Sequence, residues 1–526
     1  MNTLSAEFGE FLMSVFGVMA ELFVLAVGLL ILWVIVIYII DVTQTHQTIR
    51  RNYPVVGRFR YFFEHMGEFF RQYFFAMDRE ELPFNRAQRA WAYRASKNVD
   101  STVAFGSTDN INGTGRVLFV NCAFPTLGED AVPPKPVTIG KDCRHPYTTP
   151  SIFNISGMSY GALSKPAILA LSAGAKEVGC WMNTGEGGLS PYHLEGGADI
   201  VFQIGTAKNG VSGLDGTLND EKLAEVAAHS VVKMFEIKMS QGAKPGKGGI
   251  LPGEKVSEEI ARIRGIEVGK DAISPNRHPD INSFDDLVDM VNRVRNVTGK
   301  PVGFKMVMGS PKQIDTLIAA ISKRGVDAAP DFITIDGAEG GTGAAPMPLI
   351  DSVGMSLRES LPILIDTLNK YDLRDRIKVV ASGKLVTPAA VAGALCIGAD
   401  FITSARGFMF SLGCIQALQC NKNTCPTGIT THDPKLQKGL HPPTKAIRVA
   451  SYVNNMVKEV GIIAHSCGVT SPRALNRSHA RVVQGNGTSL GMDEIFPDVK
   501  PEALCAPDTL NCKIETQYQQ ASTISK

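Results

Sequence analysis

The sequence predicts an α/β protein, a TIM (β/α)8 barrel with an N-terminal transmembrane helix, and two observations carry that expectation. From Pro150 onward, short runs rich in β-branched and aromatic residues alternate with helix-like stretches eight times over about 260 residues, the pattern of repeated strand–helix units in a barrel of ordinary size. Ahead of them, residues 22–40 (LFVLAVGLLILWVIVIYII) run 19 positions without a charge, enough to cross a bilayer. A doubly wound open sheet is the alternative for the repeated units. The 526-residue chain holds 53 Lys+Arg against 51 Asp+Glu, a net charge of +2, which argues against a nucleic-acid partner and for small-molecule ligands. Ten cysteines without a pairing pattern point to a reducing compartment.

Residues 1–40 read as a retained anchor. A cleaved signal peptide needs a basic start and a small-residue cleavage site, whereas this segment opens with Glu7 and Glu10 and ends in bulky Ile39 and Ile40. A buried core helix would show a polar face, and this run shows none. Arg50, Arg51, Arg58 and Arg60 follow the run and no Lys or Arg precedes it, so the positive-inside rule gives a single-pass membrane protein whose remainder is cytoplasmic. Residues 41–135 read as an amphipathic connector and an irregular lead-in. Within them, residues 58–80 (RFRYFFEHMGEFFRQYFFAMDRE) suit a helix lying near the membrane surface or one packed on the globular domain. Residues 91–147 have few periodic runs and carry Pro125, Pro133, Pro134 and Pro136, so they are expected to be irregular.

The eight expected strands are residues 151–156 (SIFNIS), 180–184 (CWMNT), 200–203 (IVFQ), 235–238 (FEIK), 302–306 (VGFKM), 332–335 (FITI), 378–381 (KVVA) and 401–404 (FITS). In a barrel, chemistry sits at the C-terminal strand ends. There the first run leads into GMSYGALS, the second into GEGG, the fourth into MSQGAKPGKGG, the sixth into DGAEGGTGAAP, the seventh into SGK and the eighth into ARGF. One such loop is an ordinary tight turn; several at one end favour a large ligand held by backbone N–H groups. The glycines after the seventh and eighth runs, Gly383 and Gly407, stand where barrels often hold a phosphate.

Lys238 ends the fourth run behind apolar Phe235 and Ile237, and Gln241 and Lys244 follow in a glycine-rich loop. Two cations and an amide there suit an anionic cofactor and a dicarboxylate-like substrate. No GxGxxG opens a βαβ unit, so no nicotinamide-binding Rossmann domain is expected. Residues 414–430 (CIQALQCNKNTCPTGIT) place Cys414, Cys420 and Cys425 at short intervals with a proline directly after the last. A metal cluster, a disulfide loop and chance are each compatible with that spacing, although a Cys-Pro pair recurs in ferredoxin cluster loops.

Together, SGMSYGALS, NTGEGG, EIKMSQGAKPGKGGILPGEKV, DGAEGGTGAAP and CIQALQCNKNTCPTG resemble, in order, the FMN-binding synthase domain of the glutamate synthase large subunit. The resemblance covers roughly residues 136–430 and implies an FMN-dependent barrel over residues 136–440 with a 3Fe-4S cluster on Cys414, Cys420 and Cys425. It implies reductive amination of 2-oxoglutarate through an imine. Carried over by position, it places Met158, Ser159, Tyr160, Gly340, Gly341, Thr342 and Gly343 against the flavin, and Gly383, Lys384, Ala405, Arg406 and Gly407 at its phosphate. Lys238 would touch flavin and substrate, Glu186 would line the site and the ammonia route, and Gln241 and Lys244 would hold the substrate carboxylates.

The departures from that family are as informative. No amidotransferase domain with an N-terminal cysteine is expected ahead of the barrel, and ASGKLVTP stands where the family usually carries an aspartate and paired glycines. Ala345 replaces a serine. Nitrogen is therefore expected from free ammonia, an amine or a separate glutaminase subunit, and electrons from ferredoxin or a reductase subunit. The alternatives are amine transfer like that of N-methylglutamate synthases and a membrane flavin and iron–sulfur electron-transfer module. Residues 441–526 read as a helical extension packed on the barrel, with a mobile tail from Asn511.

Overall fold

The structure, a computed structural model, describes residues 2–501. The chain divides into two compact units, one up to Ala87 and one from Gln88 onward. The tail from Asn511 lies outside the described residues.

In the first unit, helix α1 (Asn2–Thr43) contains Phe8–Thr43, the one helix among the described residues long and apolar enough to cross a membrane. The C-terminal end of this helix is tied to the next segment by Asp41, which is fully buried. Arg50 Nε and Nη2 donate to Asp41 Oδ1 at 2.8 and 2.6 Å, Arg58 Nη2 donates to Oδ1 at 2.8 Å, and Arg58 Nε and the Val55 N–H donate to Oδ2 at 2.9 and 3.0 Å. A buried carboxylate needs such saturation, because each missing partner would leave a desolvated charge. The clamp fixes the first turn of helix α2 (Gly57–Phe70) to the last turn of α1, and a single π turn, Arg71–Phe75, comes after α2.

The second unit is built on a closed barrel of eight parallel strands: β1 (Phe153–Ile155), β2 (Trp181–Asn183), β3 (Asp199–Ile204), β4 (Val232–Lys238), β5 (Val302–Met306), β6 (Phe332–Asp336), β7 (Lys378–Ser382) and β8 (Phe401–Ser404). Each pairs with its neighbour in sequence, and β8 closes on β1 through Ile402, Thr403 and Ser404 against Phe153, Asn154 and Ile155. All eight expected runs fall on these strands. They read as β-branched and aromatic because each is covered by helices outside and packed inside.

The lead-in is less irregular than its prolines suggest. Residues Arg86–Ser96 form a helix, Val117–Phe119 a strand, and Val137–Ile139 pairs antiparallel with Tyr147–Thr149 as a hairpin. From that hairpin Ile139 and Tyr147 pack into a core cluster with Trp181, Val201, Met234, Phe332, Val380 and Phe401, closing the N-terminal end of the barrel. The strand Val117–Phe119 pairs with Ala480–Val483 from the far end of the unit. Helix Pro442–Ser466 packs on helix Lys165–Val178, where Gly174 admits it: a Cβ there would lie 2.6 Å from Val449 Cβ. Tyr452 from the long helix is fully buried against Phe153 and Phe408 and donates to the Val386 carbonyl at 3.0 Å.

Candidate active site

At the C-terminal end of the barrel, loops from six strands converge on a cavity of about 570 Å³. Its wall includes Met158 and Ser159 after β1, Glu186 after β2, Asn209 after β3, Lys238, Gln241 and Lys244 at and after β4, Gly341, Thr342 and Gly343 after β6, and Ala405 and Arg406 after β8.

Lys238 is the last residue of β4, so its side chain leaves the strand at the cavity floor. Its Nζ donates to Glu186 Oε1 at 2.7 Å and to Gln241 Oε1 at 2.5 Å, and Gln241 Nε2 donates to the Gly341 carbonyl at 3.2 Å. This chain spans the cavity from the β2 loop to the β6 loop. Burial alone would raise the Glu186 pKa, but the charge and hydrogen bond of Lys238, with Lys244 and Arg264 nearby, hold it below the usual carboxylate value. Glu186 is therefore an anion at neutral pH. Burial and the repulsion of Lys238 push Lys244 down to about 8, against the pull of Glu186. Arg264 is pushed down to about 10 by burial, again opposed by Glu186.

Two glycine loops interlock to make this geometry possible. Gly242 lies so close to the β6 loop that a Cβ would sit 2.5 Å from Gly340 Cα, and its N–H donates to Asp336 Oδ2 at 2.9 Å. The same oxygen lies 3.2 Å from Lys305 Nζ, a buried lysine on β5. Beneath, Glu236 accepts from Asn183 at 2.8 Å, Gln203 at 2.6 Å and Thr334 at 2.6 Å, so this buried carboxylate has its partners, while Thr403 Oγ1 beside it has none.

The expected phosphate and flavin residues are not all placed alike. Gly383, Lys384, Gly407, Gly340 and Tyr160 stand outside the cavity wall. The Tyr160 hydroxyl donates to Glu259 at 2.5 Å, and a Cβ on Gly407 would meet the Tyr452 hydroxyl, so that glycine answers to helix packing. Arg406 joins two regions: its Nη2 donates to the Thr342 carbonyl and its Nη1 lies 3.2 Å from Met409 Sδ and 3.7 Å from Cys420 Sγ.

No described cysteine is in a disulfide, which removes the disulfide loop from the readings of residues 414–430. Cys420 lines the cavity; Cys414 and Cys425 do not. Burial pushes Cys414 up to about 11, with Cys420 and Cys425 adding to the rise. Burial also opposes ionisation of Cys425, but hydrogen bonds from Thr427 and Thr430 outweigh it and lower its pKa. Among the described residues no three His, Cys, Asp or Glu side chains converge on a single metal-ion position.

Sequence reading missed Lys255 and Arg264. Lys255 is buried, and its Nζ donates to the carbonyls of Cys420 at 2.6 Å, Thr430 at 2.5 Å and Ala162 at 3.4 Å. Arg264 donates to Ser159 Oγ at 3.1 Å and the Tyr160 carbonyl at 2.9 Å, while its buried Nε has no partner. Arg264 ends a short helix that also carries Arg262, and nothing local separates the buried arginine from the exposed one.

A family model described as a conserved region in glutamate synthase matches residues 129–470. The chain is 39% identical over 499 residues to the glutamate synthase large subunit-like protein YerD of Bacillus subtilis, covering 88% of this chain and 94% of that protein. It is 37% identical over 334 residues to the archaeal-type glutamate synthase (NADPH) of Thermotoga maritima, covering 63% of this chain and 62% of that one. With the archaeal glutamate synthase (NADPH) of Methanocaldococcus jannaschii it shares 38% over 341 residues, 64% of this chain and 63% of the relative.

Proposed function

Because the chain belongs to the glutamate synthase family, we propose that its barrel is an oxidoreductase that makes glutamate from 2-oxoglutarate and ammonia at a bound FMN, with a 3Fe-4S cluster passing electrons in. The observation that carries this reading is the Glu186–Lys238–Gln241 chain, set in one cavity with Lys244 and Arg264.

The cavity wall supports the flavin and the cysteines of residues 414–430 support the cluster. Met158, Ser159, Gly341, Thr342 and Gly343 share the wall with Ala405 and Arg406, a Cβ on Gly343 would meet nothing within 4 Å, and Ala405 and Arg406 would hold the phosphate of a planar ligand bound there. FMN, when bound there, supplies the hydride. Cys414, Cys420 and Cys425 would hold the cluster, which supplies one-electron transfer; each iron of a polynuclear cluster takes its own thiolate, so the three sulfurs need not meet at one point. Electrons would come from ferredoxin or a reductase subunit.

The side chains have separable tasks. Lys244 and the unpartnered Nε of Arg264 offer charge to the substrate carboxylates, and binding a dicarboxylate restores the proton that burial weakens on Lys244. Lys238, held by Glu186 and Gln241, presents its ammonium where the carboxylate beside the keto carbon would lie. Glu186, an anion beside Gly205 and Gly249, offers an acceptor for an incoming ammonium. Condensation of ammonia with the keto carbon releases water; two electrons and a proton then arrive as hydride at carbon, and a second proton at nitrogen completes glutamate. Helix α1 would anchor the enzyme in the membrane with the barrel in the cytoplasm.

The deciding experiment uses the full chain purified in detergent without oxygen. Its flavin is photoreduced and mixed with 2-oxoglutarate and ammonium. Reoxidation with stoichiometric glutamate is expected; a flavin that stays reduced in both substrates overturns the ammonia reading.

A further inference from the structure

We infer that residues 57–77 form an in-plane membrane element whose partner is the headgroup region of an anionic bilayer leaflet. The inference rests on α1 spanning the membrane, and three observations carry it beyond that reading.

The first is the face. In α2, Phe59, Phe62, Phe63, Met66 and Phe70 recur at helical spacing on one side, while Arg58, Arg60, Glu64 and His65 occupy the other. Phe59, Phe62, Phe63 and Phe70 are 40–62% exposed, and Tyr73, Phe74, Phe75 and Met77 beyond them are 53–75% exposed. So many large apolar side chains in one short segment mark a surface that another phase covers.

The second is the level. The uncharged run ends at Ile40, so Asp41 stands at the edge of the hydrocarbon. Arg58, one residue into α2, lies within 3 Å of Asp41. The start of the aromatic face is thereby pinned at the depth where an amphipathic helix lies, with its apolar side roughly 5–10 Å into the headgroup boundary.

The third is charge. Residues 44–63 contain Arg50, Arg51, Arg58 and Arg60 and no Asp or Glu; Arg50 and Arg58 are paired with Asp41, which leaves Arg51 and Arg60, ahead of Glu64, to complement acidic headgroups. A zwitterionic surface would gain nothing from that asymmetry.

The test uses the full chain reconstituted in vesicles of phosphatidylcholine with or without phosphatidylglycerol, the phosphatidylcholine brominated either near the headgroup end of its acyl chain or near the terminus. Native Trp33, inside α1, reports on the anchor as the signal lost in Trp33→Phe, which subtracts Trp91 and Trp181: quenching of that signal by the deep bromines shows that α1 spans. In the same Trp33→Phe background, the signal gained with Phe63→Trp reports on the aromatic face. About twofold stronger quenching by shallow than by deep bromines is expected, as the depth of an interfacial face requires, and it should increase with phosphatidylglycerol. Quenched Trp33 with no shallow quenching of Phe63→Trp overturns the inference and leaves the anchor standing. Unquenched Trp33 overturns the anchor instead. An unquenched, blue-shifted Phe63→Trp in a chain that sediments as a dimer assigns the face to a second copy and also overturns it. Phe74→Trp carries the same test if Phe63→Trp does not fold.

Discussion

Lys244 is the residue whose physics is least comfortable and most useful. Its folded pKa lies near 8 against 10.5 for the free side chain, so below about pH 8 the folded state carries the full cost of a buried charge, and that cost fades as pH rises toward 10.5. The sign is therefore destabilising at neutral pH. Lys244→Met is expected to raise the melting temperature of the substrate-free enzyme at pH 7, with the gain shrinking toward pH 10. The same variant should raise KM for 2-oxoglutarate by about 10-fold or more, the worth of a charged hydrogen bond. Steady-state kinetics beside calorimetry separates the two effects; a variant with unchanged KM would remove Lys244 from the site. Glu186→Gln leaves Lys238 without its charged partner and is expected to lower kcat more than it raises KM, read from the same kinetics. The structure brings Lys238, Gln241 and Glu186 together; Lys238 and Gln241 stood out in the sequence as a strand end and the glycine-rich loop after it, whereas Glu186 was reached only through the family resemblance. Arg264 and Lys255 were not legible, because the carbonyls and hydroxyls that make them special come from segments about 100 residues or more away in sequence.

At the level of elements, one buried ammonium helps fasten the cysteine loop to the barrel. Lys255→Met leaves the buried carbonyls of Cys420 and Thr430 without their donor, at about 1–3 kcal/mol each. The expected outcome is a lower melting temperature together with faster proteolysis in residues 414–430, whereas a mere surface lysine would change neither. The helix Pro442–Ser466 is set against Gly407 in a similar way. Gly407→Ala should cost about 1–3 kcal/mol by overpacking, and the cost should fall sharply in a Tyr452→Phe background, where the opposing hydroxyl is gone. Denaturant melts of the four chains measure that coupling. The eight barrel strands were legible because each is a short run rich in β-branched and aromatic residues, and six of the runs lead into glycine-bearing loops. The hairpin Val137–Ile139/Tyr147–Thr149 was not: its strands are three residues each, and only the barrel floor explains their apolar positions.

For the molecule as a whole, the anchor reading predicts that the full chain stays with membranes washed at alkaline pH, where peripheral proteins are released; recovery in the wash would refute it. The pairing of Val117–Phe119 with Ala480–Val483 bears on how such a molecule is made. The two strands are separated by roughly 360 residues, which a ribosome moving at about 5–20 residues/s takes some 20–70 s to add. The strand Val117–Phe119 emerges early and lacks its partner for most of translation, and β1, although β2 follows it directly, waits roughly 250 residues for β8. If α1 enters the bilayer during that interval, the nascent barrel waits beside a membrane with open edges, and a chaperone acting at the membrane surface has its longest opportunity there.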